Sequence, residues 1–191
     1  MDKFQFDAAS NLHLAEIQVE KKLAYQGSFL TVEKDIVCLP DGKHVSREYI
    51  KHPGAVVILP LFDDGKVLLE RQFRYPLNQV FIEFPAGKID PNEDSLLCAQ
   101  RELREETGYT ATDWRYLCTI HNAIAYSDEH LDVFLARGLI AGEAKLDEEE
   151  FLETFVASVS DLSDWVKSGK VTDVKTVIGS FWLEKIIRNQ W

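Results

Sequence analysis

The sequence predicts an α+β fold: a mixed β-sheet with a few helices, behind a small antiparallel β-domain at the N-terminus. Three observations predict it. Residues 19–50 are rich in β-branched and aromatic residues, alternate roughly with polar ones, and are broken by a Pro-Asp-Gly turn. Residues 55–59 form a continuous apolar run, as expected of a strand buried on both faces. Helical signals gather at 94–108 and again after residue 161.

Taken in order, strands are expected over 19–25 and 29–38. Leu39-Pro40-Asp41-Gly42-Lys43 reverses the chain, because Pro presets φ and Asp-Gly suits a tight turn; residues 44–50 then return. A three-stranded sheet of this size is too small to stand alone, and its open edge needs cover. His52-Pro53-Gly54 ends the pattern, so residues 1–52 read as one domain and 53–191 as a second. Strands follow at 55–59, at 66–70 after the Asp63-Asp64-Gly65 turn, and at 80–84, before Pro85-Ala86-Gly87. A helix from about Asp94 to Thr107 stops at Gly108, a common position for glycine just past a helix. Strands recur at 115–120, 131–136 and 155–159, and a short helix over 161–167 closes near Gly169. Asp173 caps a last helix, whose apolar stripe is read as Val174, Val177, Ile178, Phe181 and Ile186.

Composition narrows the function. Thirty-two acids against 21 Lys and Arg give a net charge of −11, which disfavours a nucleic-acid partner because nothing could broadly neutralise a phosphate backbone. No apolar run approaches the ~20 residues of a membrane helix, and the N-terminus lacks the basic start and apolar stretch of a signal peptide, so a cytoplasmic location is expected. Cys38, Cys98 and Cys118 are odd in number and widely spaced, which suggests buried thiols in a reducing compartment rather than disulfides or zinc ligands.

Much of the acid excess has an address. Residues 83–106 hold seven acids against three bases, and Asp147-Glu148-Glu149-Glu150 adds four more acids. On a helix at ~100° per residue, Glu105 and Glu106 flank Glu102, so three carboxylates share one face of a single turn. They repel one another and sit at the helix end whose dipole disfavours anions. One reading is a solvated acidic face partnered by Arg101 and Arg104. The other is a cation site, where hard oxygen ligands suit Mg²⁺, or Mn²⁺, rather than zinc.

The segment resembles the Nudix box at every defined position: Gly87, five residues, Glu93, seven residues, Arg101-Glu102-Leu103, one residue, Glu105-Glu106, one residue, Gly108, and Tyr109 where the family usually has an aliphatic residue. The resemblance implies the Nudix fold, a mixed sheet sandwiched between helices, and hydrolysis of a nucleoside diphosphate linked to another group. It implies that Glu102, Glu105 and Glu106, with the Ala86 carbonyl, hold Mg²⁺, and that Glu93 and Arg101 pair to brace the loop against the helix. His52-Pro53-Gly54-Ala55-Val56-Val57, Arg71-Gln72-Phe73-Arg74-Tyr75 and Glu83-Phe84-Pro85-Ala86-Gly87 resemble the ADP-ribose pyrophosphatase branch, which carries an N-terminal β-domain usually engaged in a swapped homodimer.

The stretch 43–74 carries six Lys and Arg against four acids, a mildly basic island. Guanidinium forks suit phosphate and ribose oxygens, which makes Arg47, Arg71 and Arg74 candidate substrate ligands, with Glu83 beside them. The Asp147–Glu150 run reads as a solvated loop or, through the resemblance, as the source of a general base, Glu148 or Glu150 being favoured. Ser127-Asp128-Glu129 resembles the region that closes over substrate; for Tyr126 and His121 a structural role is the simpler reading. One departure stands out: many ADP-ribose pyrophosphatases carry a proline shortly past the box, whereas the last proline here is Pro91. The implied activity is Mg²⁺-dependent hydrolysis of ADP-ribose to AMP and ribose 5-phosphate, with another nucleotide sugar such as GDP-mannose, or a non-catalytic ADP-ribose-binding module, as the alternatives.

Overall fold

The computed structural model describes residues 8–146 and 151–191, and divides into two compact units. The first holds the described residues up to His52 and also Ala123–Glu129. The second holds Pro53–Asn122 and the described part of His130–Trp191. No helix among the described residues is long and apolar enough to cross a membrane.

In the first unit a 3-10 turn (Ala8–Leu14) leads to β1 (Ile17–Glu20) and β2 (Leu23–Gln26), which run end to end along one edge of β3 (Thr31–Cys38). The opposite edge of β3 pairs with β4 (His44–Lys51), and all pairings are antiparallel. The single strand expected over 19–25 is therefore two. The break has a local cause: the buried acids of β3 draw in the chain at this point. Asp35 accepts from the Gln18 side chain (2.6 Å) and from the Lys22 amide (3.3 Å), while Lys21 pairs with Glu33 (2.8 Å). The turn before β4 closes as expected, with Gly42 at φ +85° and its amide on the Leu39 carbonyl (2.9 Å). Residues 123–129 join this unit because the Ile50 amide bonds the Tyr126 carbonyl (2.9 Å) and Asp128 accepts from the His52 amide (2.8 Å). Ile17, Val19, Leu23 and Tyr25 on β1 and β2 all lie more than half exposed.

The second unit contains β5 (Ala55–Pro60), β6 (Lys66–Arg74), β7 (Gln79–Glu83), β8 (Ala86–Lys88), α1 (Ser95–Thr107), β9 (Thr110–Ile120), β10 (Leu131–Ile140), β11 (Leu152–Ser158), α2 (Val159–Lys167) and α3 (Val174–Ile187). Where one mixed sheet is expected, two sheets form. The four-stranded sheet β8-β5-β10-β9 has β5 and β10 parallel, and the antiparallel sheet β11-β6-β7 packs beside it. The chain crosses between them at Phe84-Pro85, where proline brings no amide to continue the β7 ladder. β6 runs four residues past its expected end, held by β7 and β11, so Arg71 and Arg74 are strand residues.

The apolar run of β5 is buried on both faces. Val57 and Leu59 pack with Leu69, Phe84, Val133, Leu162 and Leu183, while Val56 and Ile58 meet Cys98, Ala99, Leu103 and Phe134. The four-stranded sheet thus has α1 on one face and the second sheet with α2 and α3 on the other, each buried aliphatic side chain contributing about 1.5–3 kcal/mol. α1 starts and stops where its sequence signals: the Asp94 carboxylate accepts from the Leu96 and Leu97 amides (2.9 and 3.3 Å), and Gly108 takes φ +76°.

α3 corrects the expected stripe. Val174 and Phe181 are exposed, and the buried face is Lys175, Thr176, Gly179, Ser180, Leu183 and Ile186. Small residues decide this face. A Cβ on Gly179 would lie 2.7 Å from Leu59 Cδ2 and 2.8 Å from Phe84 Cε2, so glycine lets the helix come close to β5. All three cysteines are free; only Cys98 is fully buried, and burial pushes its thiol up to about 12, leaving it neutral and inert.

Candidate functional site

The last two turns of α1 carry the box carboxylates, and their environments differ. Glu106 is 4% exposed and accepts from the Ala86 amide (3.2 Å), tying the helix to the strand β8 beneath it. Glu102 lies over Gly87, where a Cβ would sit 1.9 Å from the Glu102 carboxyl carbon. The glycine therefore makes room for a carboxylate directly above the backbone. Glu105 is the most open of the three.

Arg101 organises this end of the helix. Its Nε and Nη2 donate to the two oxygens of Glu93, each at 2.9 Å, closing the fork between loop and helix that the box resemblance implies. Its Nη1 donates to Glu102 (2.7 Å) and Glu105 (3.2 Å), and Nη2 also reaches the Lys88 carbonyl (3.3 Å). The guanidinium beside Glu93 holds that carboxyl at about 2, well below its ordinary range and against the opposing effect of desolvation. Arg101 is in turn held firmly protonated, by Glu93 first.

The three acids share a turn of helix without converging on one point. Glu106 turns to Ala86, whereas Glu102 and Glu105 turn to Arg101, and no three acid, His or Cys side chains among the described residues form a ready-made metal cluster. Their chemistry nonetheless suits a divalent cation. The donors are all oxygen, they stand on adjacent faces of one turn, and Gly87 leaves a cradle beneath Glu102 that a side chain would fill. Glu102, Glu105 and Glu106, with Ala86 adjacent, are the residues that could hold it.

The other candidate residues fall in separate places. Arg74, at the end of β6, donates from Nε and Nη2 to the two oxygens of Glu83 on β7 (2.7 and 2.8 Å). Glu83 is 2% exposed and also receives Lys175 Nζ from α3. Burial pushes the Glu83 carboxyl up, but Arg74 and Lys175 together outweigh it and keep it ionised, below its ordinary range. These groups line a cleft of about 540 Å³ with Leu77, Gln79, Phe81, Thr172 and Asp173. Arg71, three residues earlier on β6 and so on its other face, pairs with Glu153 and lies 6.0 Å from the Phe155 ring centre. It borders a second, more apolar cleft with Phe73, Val80, Leu146, Phe151 and Leu152. Arg47 belongs to the first unit, where its Nε and Nη2 form a fork on Glu16. Asp128, in the same unit, is tied to Lys51 and to the His52 amide. Glu148 and Glu150 lie outside the described residues.

Sequence reasoning missed Lys175, Asp173 and Thr176 as site residues. A signal was present: Lys175 stands in the first turn of a helix, where the dipole disfavours a cation, so it needed an acidic partner elsewhere.

Comparison with known proteins agrees with this architecture. A solved ADP compounds hydrolase superposes with a TM-score of 0.82 over 92% of this chain and 95% of that one, at 22% identity, which establishes the shared fold. The ADP-ribose pyrophosphatase of Bacillus subtilis is 38% identical over 173 residues, 90% of this chain and 94% of its own length. The methanol dehydrogenase activator of Bacillus methanolicus is 32% identical over 171 residues, covering 88% and 92% of the two chains. The NUDIX domain model matches residues 51–176. With a family match across well over half its length and a relative aligned almost end to end, this chain belongs to the Nudix family.

Proposed function

We propose that this Nudix protein hydrolyses the pyrophosphate bond of ADP-ribose, or of a closely related nucleoside diphosphate sugar, to a nucleoside monophosphate and a sugar phosphate. The observation that carries the reading is the set of box carboxylates on one turn of α1, with Glu106 fastened to Ala86 and Glu102 seated over Gly87. The aligned ADP-ribose pyrophosphatase supports ADP-ribose as the first substrate to test.

Glu102, Glu105 and Glu106 would hold Mg²⁺, with Mn²⁺ as the alternative. When bound, the divalent cation neutralises diphosphate charge and lowers the pKa of water. The Glu93–Arg101 fork keeps the loop and the helix in register, with Glu106 on the Ala86 amide and Glu102 over Gly87. Arg74 is assigned to the substrate phosphates: Glu83 engages one edge of its guanidinium, and among the described residues the Nη1 donors of the other edge meet no acceptor. Arg71, on the other face of β6, is assigned to the substrate from the second cleft. The proton leaving the attacking water is assigned to Glu148 or Glu150. Leu146 and Phe151, which bound that run in sequence, border the same cleft as Arg71. The first unit is assigned to a homodimer, on account of the apolar side chains exposed along β1 and β2, and Arg47 to substrate contact, as a guanidinium in the basic stretch 43–74. The setting proposed is cytoplasmic.

A panel of nucleoside diphosphate sugars with Mg²⁺, compared by kcat/KM, tests the reading. ADP-ribose at the top, releasing AMP, is the expected result. GDP-mannose at the top changes the substrate, and tight ADP-ribose binding without AMP release makes the protein a binding module. Light scattering of the full chain tests the dimer.

A further inference from the structure

We propose that Lys175 is a positioning residue for substrate binding: it fixes Glu83, and through Glu83 holds the Arg74 guanidinium with one edge turned to the substrate's diphosphate. This rests on the assignment of Arg74 to the phosphates.

Lys175 is 8% exposed and sits in the first turn of α3, an unfavourable place for a cation on both counts. It is kept there by Glu83, to which its Nζ donates, and by Asp173 (3.1 Å). Asp173 caps the same helix, accepting from the Thr176 amide (3.0 Å) and from its hydroxyl (2.6 Å). The Thr176 hydroxyl oxygen accepts from the Phe84 amide (3.0 Å). The first turn of α3 therefore grips two consecutive residues, Glu83 by its side chain and Phe84 by its backbone. Gly179, one turn further along, brings the helix close enough to do so.

On the opposite side, Glu83 receives Arg74 through Nε and Nη2. Among the described residues Nη1 donates to no protein acceptor, and the side chain is 43% exposed, beside the cleft that Lys175 and Asp173 also line. An untethered arginine samples many rotamers and loses that freedom on binding an anion. Held along one edge by a carboxylate that is itself locked from behind, Arg74 has little left to lose. Removal of Lys175 is expected to weaken substrate capture more than the chemical step.

Steady-state kinetics on the full chain with ADP-ribose and Mg²⁺ tests this. K175M is expected to raise KM about tenfold with kcat within about threefold, and K175R to restore most of the loss. The double variant K175M/R74Q should be no worse than R74Q alone, since both act through one guanidinium. An independent readout is the Arg74 Nε–H NMR signal, identified by its absence in R74Q: slowly exchanging in the parent protein and fast in K175M. If K175M does not fold, D173N, which keeps a capping side chain, should show the same KM shift in smaller measure. An unchanged KM in folded K175M, additive losses in the double variant, or an unchanged Arg74 signal overturns the proposal. An R74Q variant with normal KM removes the Arg74 assignment and the proposal with it. A parent protein that does not turn over ADP-ribose overturns the substrate reading alone, and the Arg74 signal still decides the role of Lys175.

Discussion

Arg101 and Glu93 meet through two parallel hydrogen bonds, Nε to Oε1 and Nη2 to Oε2, each 2.9 Å long. The pair joins the loop after β8 to the middle of α1, and the third nitrogen of the same guanidinium spans Glu102 and Glu105. Lysine keeps the charge but has no fork, so it cannot serve Glu93 and the helix acids together. R101K should cost about 1–2 kcal/mol, because both partners are only partly buried. That corresponds to about 2–6 °C in melting temperature for a chain of this size, measurable by calorimetry.

The same pair sets an acid limit. Glu93 titrates at about 2 in the folded chain against an ordinary 4.5. A lowered folded-state value means that the unfolded chain takes up its proton first as pH falls. The stabilisation is therefore complete above about pH 4.5 and is lost progressively down to about pH 2. Glu83, whose carboxyl is also held below its ordinary range, acts with the same sign. Melting temperature measured from pH 6 to pH 2.5 should fall less steeply in E93Q than in the parent protein. Parallel curves would show that Glu93 does not contribute to the acid limb.

Gly87 makes a sharper demand on function than on folding. A methyl group there would overlap the Glu102 carboxylate, the far end of a flexible side chain that can swing away. G87A should therefore fold with a melting temperature close to the parent's. Its turnover should drop at least about tenfold, with more Mg²⁺ needed for half-activation, since the displaced carboxylate is a proposed ligand. Normal Mg²⁺ dependence in G87A would exclude Glu102 from cation binding.

E106Q separates charge from shape. Glutamine can still accept the Ala86 amide through its carbonyl, so the tie between α1 and β8 survives. What disappears is one negative charge at the proposed cation site. Turnover should fall by about 10²-fold or more, some 3 kcal/mol of barrier, with the fold intact by circular dichroism. Near-normal turnover in E106Q would sink the assignment of the box carboxylates.

The parts of this molecule that were legible in its sequence are those with local causes. Asp94 and Gly108 mark the ends of α1 because capping and a left-handed glycine are decided within a few residues. The 55–59 run reads as buried because its composition leaves no exposed face. The Glu93–Arg101 pair is legible only through the resemblance to the Nudix box, which implies it. What was not legible depends on distant partners. The break between β1 and β2 comes from Glu33 and Asp35 on β3, which nothing in residues 17–26 announces. The face of α3 is legible at Val177 and Ile186, which reach the core, but not elsewhere: hydrophobicity favours Val174 and Phe181, whereas packing selects Gly179, Ser180 and a paired Lys175. Lys175 belongs with the box glutamates in one respect: each is a charge at the wrong end of a helix, and each signals a partner beyond that helix.

Gly179 is the point at which that helix face can be tested directly. Alanine raises helix propensity by about 1 kcal/mol relative to glycine, so an α3 free to move outward would be stabilised by G179A. Here the added methyl would meet Leu59 and Phe84 at 2.7–2.8 Å, both of them fully buried and without room to yield. Overpacking of this kind costs about 1–3 kcal/mol, which exceeds or cancels the propensity gain. G179A should melt up to about 6 °C lower, and relief of the clash by retreat of α3 would loosen the Thr176–Phe84 and Lys175–Glu83 bonds together. KM for the nucleotide sugar should then rise in G179A as it does in K175M, although residue 179 touches neither Arg74 nor the cleft. A higher melting temperature with unchanged KM would show instead that α3 tolerates a looser seat on β5.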